Sequence, residues 1–325
     1  ESREFTVCFE LADIPAVNNG YNDLWRLSRL NWLNSSLAID ETLVKPFVSP
    51  DLSDDCLAVL GREISLGDNG LPQQVCSKFD EAVQLCSDVQ KKLFAKPAEF
   101  VIGDYSLNGG QTESTAYNNR IENRTVCTDD NMDTEILSVL RYDGQMEYSV
   151  KITPKKDFTV SDASLNFYIN KDCTRLMHGL GHRASAAENL SFKWDNDKQQ
   201  DSVFIGAVNC GMRVKFKAEN YRRPLINIFY KNLPLNVPVT TWDNNGRGGI
   251  GVRVNDCCTN ICAYTGEFEF KKGEIRTFNF ELHFTPFKQI DYKKTFGVRY
   301  SHSNDLRDEY KEIDRAAKNG LNYVT

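Results

Sequence analysis

The feature that most limits the fold of this chain is a two-residue alternation of apolar and polar side chains. Between residues 146 and 152 every second residue is apolar, and residues 212–218 and 278–284 repeat the pattern. A period of two places alternate side chains on opposite faces of a β-strand. Because turn residues separate many such segments, the sequence predicts a mainly β fold, a large antiparallel β-sandwich.

Turn residues place two hairpins. Asp143-Gly144 lies between the alternating segments 135–141 and 146–152, and two-residue turns of this type join antiparallel strands. The cluster Gly67-Asp68-Asn69-Gly70 follows Ile64 and Leu66, which predicts a strand and then a hairpin turn within residues 60–72.

Length and charge exclude some functions. A chain of 325 residues can form two domains, or one large sandwich with an appendage. Its net charge of -6 does not favour nucleic-acid binding, so we expect no nucleic-acid partner. No apolar run reaches the roughly 20 residues that cross a bilayer, and we expect no membrane span.

The cysteines indicate the compartment. Ten are scattered without a CxxC pair, which favours disulfides over a zinc ribbon, with reduced buried cysteines in a cytosolic protein as the alternative. Adjacent Cys257 and Cys258 are strained as a pair, so Cys262 is a candidate local partner. Sequons at Asn34, Asn123 and Asn189 predict N-glycosylation. Together these features predict a secreted or extracellular protein.

The loop at residues 242–249, WDNNGRGG, is the main candidate site and is called the 242–249 loop below. Sugar-binding sites combine an aromatic face with amide and guanidinium groups. The glycan or domain-interface candidates are Trp194, Arg222, Arg223, Trp242, Asn244 and Arg247. The alternative, favoured on the residues alone, is structural: the two adjacent arginines satisfy carboxylates and carbonyls at a domain interface, and the tryptophan packs beneath a glycine-rich turn.

A strand before this loop has a cationic face. Arg213, Lys215 and Lys217 alternate with apolar residues, and this face either attracts sulfated or uronic glycans or is a plain solvated strand face. The plain face is the preferred interpretation.

Short motifs along the chain resemble, in the same order, those of an uncharacterised family of large secreted glycoside-hydrolase-like proteins related to glycoside hydrolase family 123. They lie at residues 26–35, 60–63, 156–158, 179–181, 193–195, 200–202, 205–209, 219–225, 242–249, 285–286 and 299–302. The resemblance implies a sandwich, residues 1–286, followed by a linker, helix and first strand of a (β/α)8 barrel in residues 287–325. That barrel would be a partner domain or chain following Thr325.

The residues also support a helix in that final segment. Ser303 or Asn304 can cap it, Leu306 and Ile313 belong to its apolar stripe, and Lys318 with Gly320 marks its end. Residues 321–325 then predict a strand. A conflict remains over residues 76–95, where apolar residues recur at helical spacing but the resemblance implies extended structure.

No catalytic residue is assigned within the chain. The resemblance implies that hydrolysis uses an adjacent Asp-Glu pair in the barrel, whereas the pairs beginning at Asp40, Asp80 and Asp308 are interpreted as solvated. His178 and His182 are spaced for a metal only on a helix, which Gly179 and Gly181 disfavour. No metal site and no cofactor are predicted.

The sequence thus predicts a non-catalytic β-sandwich of an extracellular glycoside-hydrolase-like protein, which supports a barrel and contacts glycan. We expect the chain alone not to hydrolyse glycosides. The alternative is a structural or adhesive extracellular glycoprotein that lost catalysis and uses the sandwich for assembly.

Overall fold

A computed structural model describes residues 40–53, 56–194, 201–218, 240–301 and 309–324. The chain divides into two compact units, Glu1–Thr42 and Leu43–Thr325, and all elements named below lie in the second. Arg222, Arg223 and Asn34 lie outside the described residues, so their predicted roles stay predictions.

Twenty-four β-strands are described in these ranges, most of them short. The first twelve are β1 (Asp51–Ser53), β2 (Cys56–Val59), β3 (Arg62–Leu66), β4 (Pro72–Phe79), β5 (Cys86–Lys92), β6 (Phe94–Ile102), β7 (Tyr105–Ser106), β8 (Gln111–Ala116), β9 (Arg120–Thr128), β10 (Met132–Arg141), β11 (Gln145–Pro154) and β12 (Phe158–Val160). The others are β13 (Ala163–Asn170), β14 (Leu176–Gly179), β15 (His182–Ser185), β16 (Leu190–Lys193), β17 (Ser202–Gly206), β18 (Gly211–Lys217), β19 (Gly249–Val254), β20 (Cys258–Tyr264), β21 (Phe268–Phe270), β22 (Arg276–Thr285), β23 (Tyr300–Ser301) and β24 (Tyr323–Val324).

These strands form three main sheets. A nine-stranded sheet has the order β15-β14-β17-β18-β22-β11-β10-β9-β8, and a six-stranded sheet has the order β16-β19-β20-β13-β6-β7. The strands β1 to β5 form a five-stranded meander, while β12 pairs with β21. All strand pairs in these sheets are antiparallel, which confirms the predicted mainly β, antiparallel architecture.

The two larger sheets pack face to face through aromatic rings. Phe100 of β6 lies 5.3 Å from Phe278 of β22, and Phe167 of β13 lies 6.2 Å from Phe280 of β22, measured between ring centroids. These side chains are fully buried, whereas Asn279, between the two phenylalanines of β22, is partly buried. The alternation read from the sequence therefore defines the inner faces of a sandwich.

Both predicted hairpins are present. In the β10–β11 pair Ile136 lies opposite Val150, and the turn places Gly144 at φ 88°, a conformation that suits glycine. Strands β3 and β4 pair across the turn at residues 67–70.

Residues 76–95 are extended, so the helical spacing there was misleading. Strands β4 and β5 pair antiparallel, with Cys76 opposite Lys92. In the connecting turn, the Asp80 carboxylate accepts hydrogen bonds from the amides of Gln84 and Leu85 at 2.7 and 3.1 Å. Two of the apolar residues at helical spacing, Phe79 and Val83, are buried, whereas Val89 is 78% exposed. The apolar residues at helical spacing therefore do not form one buried face.

Arg62 joins the five-stranded meander to the sandwich. Its guanidinium, 1% exposed, donates to the carbonyls of Leu60, Asp143, Phe284 and Phe287 at 2.8–3.1 Å. Burial lowers the pKa of Arg62 to about 10. The side chain thereby connects β3, the β10–β11 turn and the end of β22.

After the sandwich the chain forms a small β–α–β unit. The helices are α1 (Tyr292–Gly297), capped by the Asp291 side chain, and α2 (Glu309–Lys318). Strand β24 pairs parallel with β23 across α2. The predicted end of the helix and the strand that follows it are present, with Gly320 at φ 75°; the predicted caps at 303–304 lie outside the described residues.

The nine described cysteines are free thiols, so the predicted disulfides are not found among them. The suggested partner Cys262 is wrong for either member of the 257–258 pair. Cys258 and Cys262 lie on the same strand, β20, and four residues of strand separate them by about 13 Å, too far for a bridge. In the part of the chain that the structure describes, neither α-helix is both long and apolar enough to span a membrane.

Candidate functional site

The 242–249 loop is a tight turn that leads into β19. Asn244, Asn245 and Gly246 have positive φ values of 43°, 57° and 80°. The Gly248 amide donates to the Asp243 carbonyl at 2.9 Å, and a Cβ at Gly248 would overlap the Trp242 carbonyl. The glycines are thus required by backbone geometry rather than by a bound ligand.

Trp242 lies in the core beneath this turn. Its side chain is fully buried, its Nε1 donates to the Asn279 carbonyl at 3.1 Å, and its ring contacts Phe278, Phe216 and Phe100 at 4.9–5.9 Å. This corrects the expectation that Trp242 offers a ring face to a sugar. The observed position agrees with the alternative interpretation, in which the tryptophan packs beneath a glycine-rich turn.

Trp194 belongs to the same aromatic cluster. It packs edge-on against Phe192 and Phe216, each 5.9 Å away, and is partly buried. Trp194 does not line the cavity described next, so the structure does not bring the two tryptophans together at one surface.

A polar cavity of about 460 Å³ lies beside the loop, and we call it the loop pocket. Three parts of the domain line it: the loop, strand β21 with its β12 partner, and the start of β22. Its lining residues are Thr159, Thr240, Thr241, Asn244, Asn245, Arg247, Glu267, Phe268, Glu269 and Arg276. Two of the predicted site residues, Asn244 and Arg247, therefore share one cavity.

Asn244 and Arg247 differ in how firmly the protein holds their side chains. The Asn244 amide donates to the carbonyls of Thr265 and Glu267 at 3.0 and 2.7 Å, so its donors hold the loop against β20 and β21. Arg247 donates to the Glu267 carbonyl at 3.2 Å and lies 3.7 Å from the Glu267 carboxylate, with half of its side chain exposed. Because the Arg247 side chain is exposed to solvent, its contact with Glu267 is weak, and a ligand can replace part of it.

The opposite wall is charged as well. Arg276 pairs with Glu274 at 3.0 Å and lies over the Phe268 ring, while Glu269 lies 3.7 Å from Lys271. Phe268 is 5% exposed and offers little ring surface. The pocket thus presents guanidinium, carboxylate and hydroxyl groups, which suit a ligand rich in hydroxyls.

Sequence reasoning missed most of this wall. Glu267, Glu269 and Arg276 reach the pocket because β21 pairs with β12, where Phe158 lies opposite Phe270. That pairing joins segments more than a hundred residues apart in sequence, and no local sequence pattern predicts it.

The cationic strand face is neutralised by carboxylates. On β18, Lys215 lies 3.8 Å from Asp201, and Lys217 lies 2.7 Å from Glu281, which is 7% exposed. His283 lies 2.5 Å from the other Glu281 oxygen. Burial alone would raise the pKa of Glu281, but the hydrogen bonds from His283 and Lys217 hold it well below its usual range. This arrangement matches a structural strand face.

The two described sequons differ. Asn123 is 4% exposed within β9, donates to Ser138 Oγ at 3.1 Å and accepts from Ser114 Oγ at 2.8 Å, so a glycan has no access to it in the folded domain. The expectation of glycosylation there is corrected by this burial. Asn189 is exposed, and in the described part of the chain its side-chain oxygen accepts from the Val254 amide at 2.8 Å.

The histidine pair lies in a hairpin, not on a helix. His178 and His182 flank the β14–β15 turn, whose residues 179–181 all have positive φ. Within the described ranges, His, Cys, Asp and Glu residues form no group of three or more that could hold a metal ion.

A second, apolar cleft of about 710 Å³ lies where the chain leaves β22, and we call it the exit cleft. Its residues are Val44, Phe47, Tyr142, Asp143, Gln145, His283, Pro286, Phe287, Lys288 and Ile290. Phe287 and Ile290 are 41% and 38% exposed. Large apolar side chains are thus left in contact with water here.

Comparison with known families identifies the family of this chain. A family profile described as glycoside hydrolase 123, third domain, matches residues 51–286, which include every residue that lines the loop pocket. The chain belongs to this glycoside hydrolase 123 domain family. The resemblance drawn from ordered short motifs is thereby confirmed. No curated protein matches the chain.

Solved structures similar to this glycoside hydrolase 123 domain are distant. The galactose mutarotase related enzyme from Lactobacillus acidophilus has 8% identity and a TM-score of 0.39, over 75% of this chain and 99% of that one. Heparan sulfate lyase HepC from Pedobacter heparinus has 9% identity and a TM-score of 0.39, over 81% and 41%. The α-N-acetylgalactosaminidase NagBb from Bifidobacterium bifidum, a quadruple mutant, has 7% and 0.40, over 81% and 41%. Such scores give no basis for transferring an activity.

Proposed function

We propose that this glycoside hydrolase 123 domain is a non-catalytic, glycan-contacting part of an extracellular enzyme. The observation that supports glycan contact is the loop pocket, where Arg247, Glu267 and Glu269 surround a polar cavity of about 460 Å³. Guanidinium and carboxylate groups bind sugar hydroxyls directionally. Since Trp242 and Phe268 are buried, binding rests on hydrogen bonds without ring stacking, and we expect it to be weak.

The non-catalytic role is supported by the hydrogen bonds that the aspartates of two adjacent Asp-Glu pairs make within the domain. The Asp80 carboxylate accepts two backbone hydrogen bonds in the β4–β5 turn, and the Asp40 carboxylate accepts one from the Thr42 amide at 2.9 Å. Carboxylates engaged in local turns are not arranged on two sides of a substrate. The reaction itself is proposed to occur in a barrel that this domain supports.

Exposed apolar surface supports such a partner domain. Phe287 and Ile290 in the exit cleft are joined by Phe296 at 77% and Val298 at 45% exposure. These residues follow the segment that matches the family profile, and a segment with several exposed apolar side chains is typical of an interaction site. We therefore assign the exit cleft to contact with a barrel domain. Peptide mapping of the native protein tests this: a continuing barrel with an Asp-Glu pair supports it, and a terminus at Thr325 without an associated barrel contradicts it.

The extracellular setting is supported by Asn189, whose sequon is exposed and whose amide nitrogen is unengaged among the described residues. The same peptide map reads this out. A glycan is expected on the peptide that carries Asn189, while Asn123 stays unmodified because it is buried. An unmodified Asn189 in protein from eukaryotic secretion would contradict the assignment.

The glycan proposal is tested by binding to an array and then by titration with the strongest hit. We expect Arg247→Ala to weaken binding about tenfold, as the loss of one charge-assisted hydrogen bond does. Arg253→Ala is the matched control, because Arg253 is an exposed arginine on β19 outside the pocket. Equal affinities of the two variants, or no bound glycan, would overturn the assignment; release of free sugar by the chain alone would overturn the non-catalytic role.

A further inference from the structure

Three sheets meet at one buried point, which we call the sheet junction. The β17–β18 turn of the nine-stranded sheet contributes Asn209, whose backbone carbonyl accepts from Ser77 Oγ at 2.5 Å and whose side-chain amide donates to the Phe79 carbonyl at 3.1 Å. The side chain of Lys91 in β5 donates to Asn209 Oδ1 at 3.2 Å. The turn is thus fixed against the five-stranded meander.

Two buried thiols lie at this junction. Cys173, at the end of the 3-10 turn Lys171–Cys173 after β13, is 0% exposed, and Cys210, in the β17–β18 turn, is 1% exposed. Their sulfurs donate to consecutive carbonyls, Cys173 to Lys92 at 3.5 Å and Cys210 to Lys91 at 3.7 Å. The largest influence on the pKa of each thiol comes from the other, which indicates that the two side chains are neighbours. Elements of the six-stranded and nine-stranded sheets therefore bring the two thiols to neighbouring carbonyls of β5.

We propose that Cys173 and Cys210 form a disulfide that joins the six-stranded and nine-stranded sheets when the protein folds in the presence of a small-molecule disulfide. One cysteine thiolate attacks the oxidant and forms a mixed disulfide, which releases one small thiol. The other cysteine thiolate then attacks the protein sulfur of that mixed disulfide and releases the second thiol. Two protein thiols are oxidised and one small disulfide is reduced to two thiols.

In the folded domain the two thiols influence each other. Cys210 lowers the pKa of Cys173, helped by Lys91, whereas Cys173 and burial raise the pKa of Cys210. Since both thiols are buried in the folded domain, the bond must form before the sheets close.

Other cysteine pairs fit less well. Cys76 is only partly buried, unlike Cys173 and Cys210. Cys257 and Cys258 are in contact at 3.6 Å but are adjacent in sequence, where a bridge is strained. Among the described cysteines, Cys173 and Cys210 alone combine near-complete burial, hydrogen bonds to consecutive carbonyls and a large separation in sequence.

Oxidative refolding of the whole chain with oxidised and reduced glutathione tests the proposal. A tryptic map without reductant should contain residues 172–175 joined to residues 199–213, and the protein should be about 2 Da lighter than its reduced form. Closing a loop of about 40 residues should raise Tm by about 10 °C over protein refolded with reductant.

Matched variants separate the bond from simple packing. Cys173→Ala and Cys210→Ala should each have the same Tm after oxidising and reducing refolding. Cys127→Ala removes another buried thiol, 3% exposed, and should keep the wild-type difference. Alkylation of both Cys173 and Cys210 in the oxidised wild type, or a bridge from either one to Cys76, would overturn the proposal whatever the glycan experiment shows.

Discussion

Arg62 shows how one residue can decide the cohesion of this domain. Its side chain is almost fully buried, yet it has four backbone carbonyl partners on three elements and no direct carboxylate partner among the bonds the structure records. The neighbouring glycine Gly144 leaves it room, because a Cβ there would overlap the guanidinium. The motif at residues 60–63 thus reflects packing rather than catalysis.

We expect Arg62→Met to lower the free energy of unfolding by about 4 kcal/mol, because several buried carbonyls lose their donor and each unpaired group costs about 1–3 kcal/mol. Arg62→Lys should recover only part of this, since an ammonium does not span four acceptors. Urea denaturation measures both variants.

The control is Arg124→Met. Arg124 is half exposed and pairs with Glu135 at 2.7 Å, so its loss should cost about 0.5 kcal/mol. A cost for Arg62→Met no greater than that of the control would show that water replaces the buried guanidinium.

Residue identity alone did not separate site from core. Trp242 and Arg247 lie in the same loop and both suit sugar binding, but one is fully buried and the other half exposed. Burial depends on β21, β22 and their distant partners, so the sequence could select the loop and could not say which of its side chains reach solvent.

Strands β18 and β22 show an interaction that belongs to paired elements. Lys215 lies opposite Glu281, and Lys217 lies opposite Asn279, from where its ammonium reaches the Glu281 carboxylate at 2.7 Å. Cross-strand partners such as these interact because neighbouring strands place their side chains side by side.

The pH dependence of stability follows from the lowered pKa of Glu281. A depressed folded-state pKa contributes stability that is complete above the unfolded value of about 4.5 and is lost as pH falls below it. We expect Glu281→Gln to cost about 3 kcal/mol at pH 5. The difference from wild type should shrink by about 1–2 kcal/mol at pH 3.

Chemical denaturation at the two pH values measures this, with Glu269→Gln as control. Glu269 is 62% exposed on its side chain and should show little cost at either pH. A difference for Glu281→Gln that stays constant from pH 5 to pH 3 would mean that its carboxylate gains nothing from Lys217 and His283.

Strand alternation was readable from sequence wherever one face of an element is buried. The β10–β11 hairpin has this pattern and was predicted with its turn. Strand β5 was not, because it is an edge strand with six of seven residues exposed and no buried face to impose a period of two. The residual apolar spacing there then imitated a helix.

At the scale of the whole molecule, fold class and family followed from sequence, whereas the pairing of distant segments did not. The sheet orders join β18 to β22 and β13 to β6, and such contacts depend on the complete sandwich. The loop pocket, the exit cleft and the sheet junction all lie where segments distant in sequence contact each other. Their residues are therefore spread along the chain without a shared motif.

The boundary of the folded unit is the last consequence of these contacts. The family match ends at residue 286, yet the next six residues remain attached to the sandwich. The Phe287 carbonyl accepts from Arg62 at 3.0 Å, the Ile290 amide donates to the Val83 carbonyl at 2.7 Å, and the Tyr292 hydroxyl donates to the Ala82 carbonyl at 2.7 Å.

We therefore expect a chain ending at residue 286 to be less stable than one ending at residue 297, although both contain the matched domain. Three lost hydrogen bonds at about 1 kcal/mol each, in a domain of this size, correspond to a Tm lower by about 6–12 °C. Calorimetry of the two truncated chains measures the difference. In the longer chain, Tyr292→Phe removes only the last bond and should lower Tm by about 2–4 °C. Equal Tm values for the two truncations would place the end of the cooperative unit at residue 286, because the segment that follows would then add nothing to the sandwich it contacts.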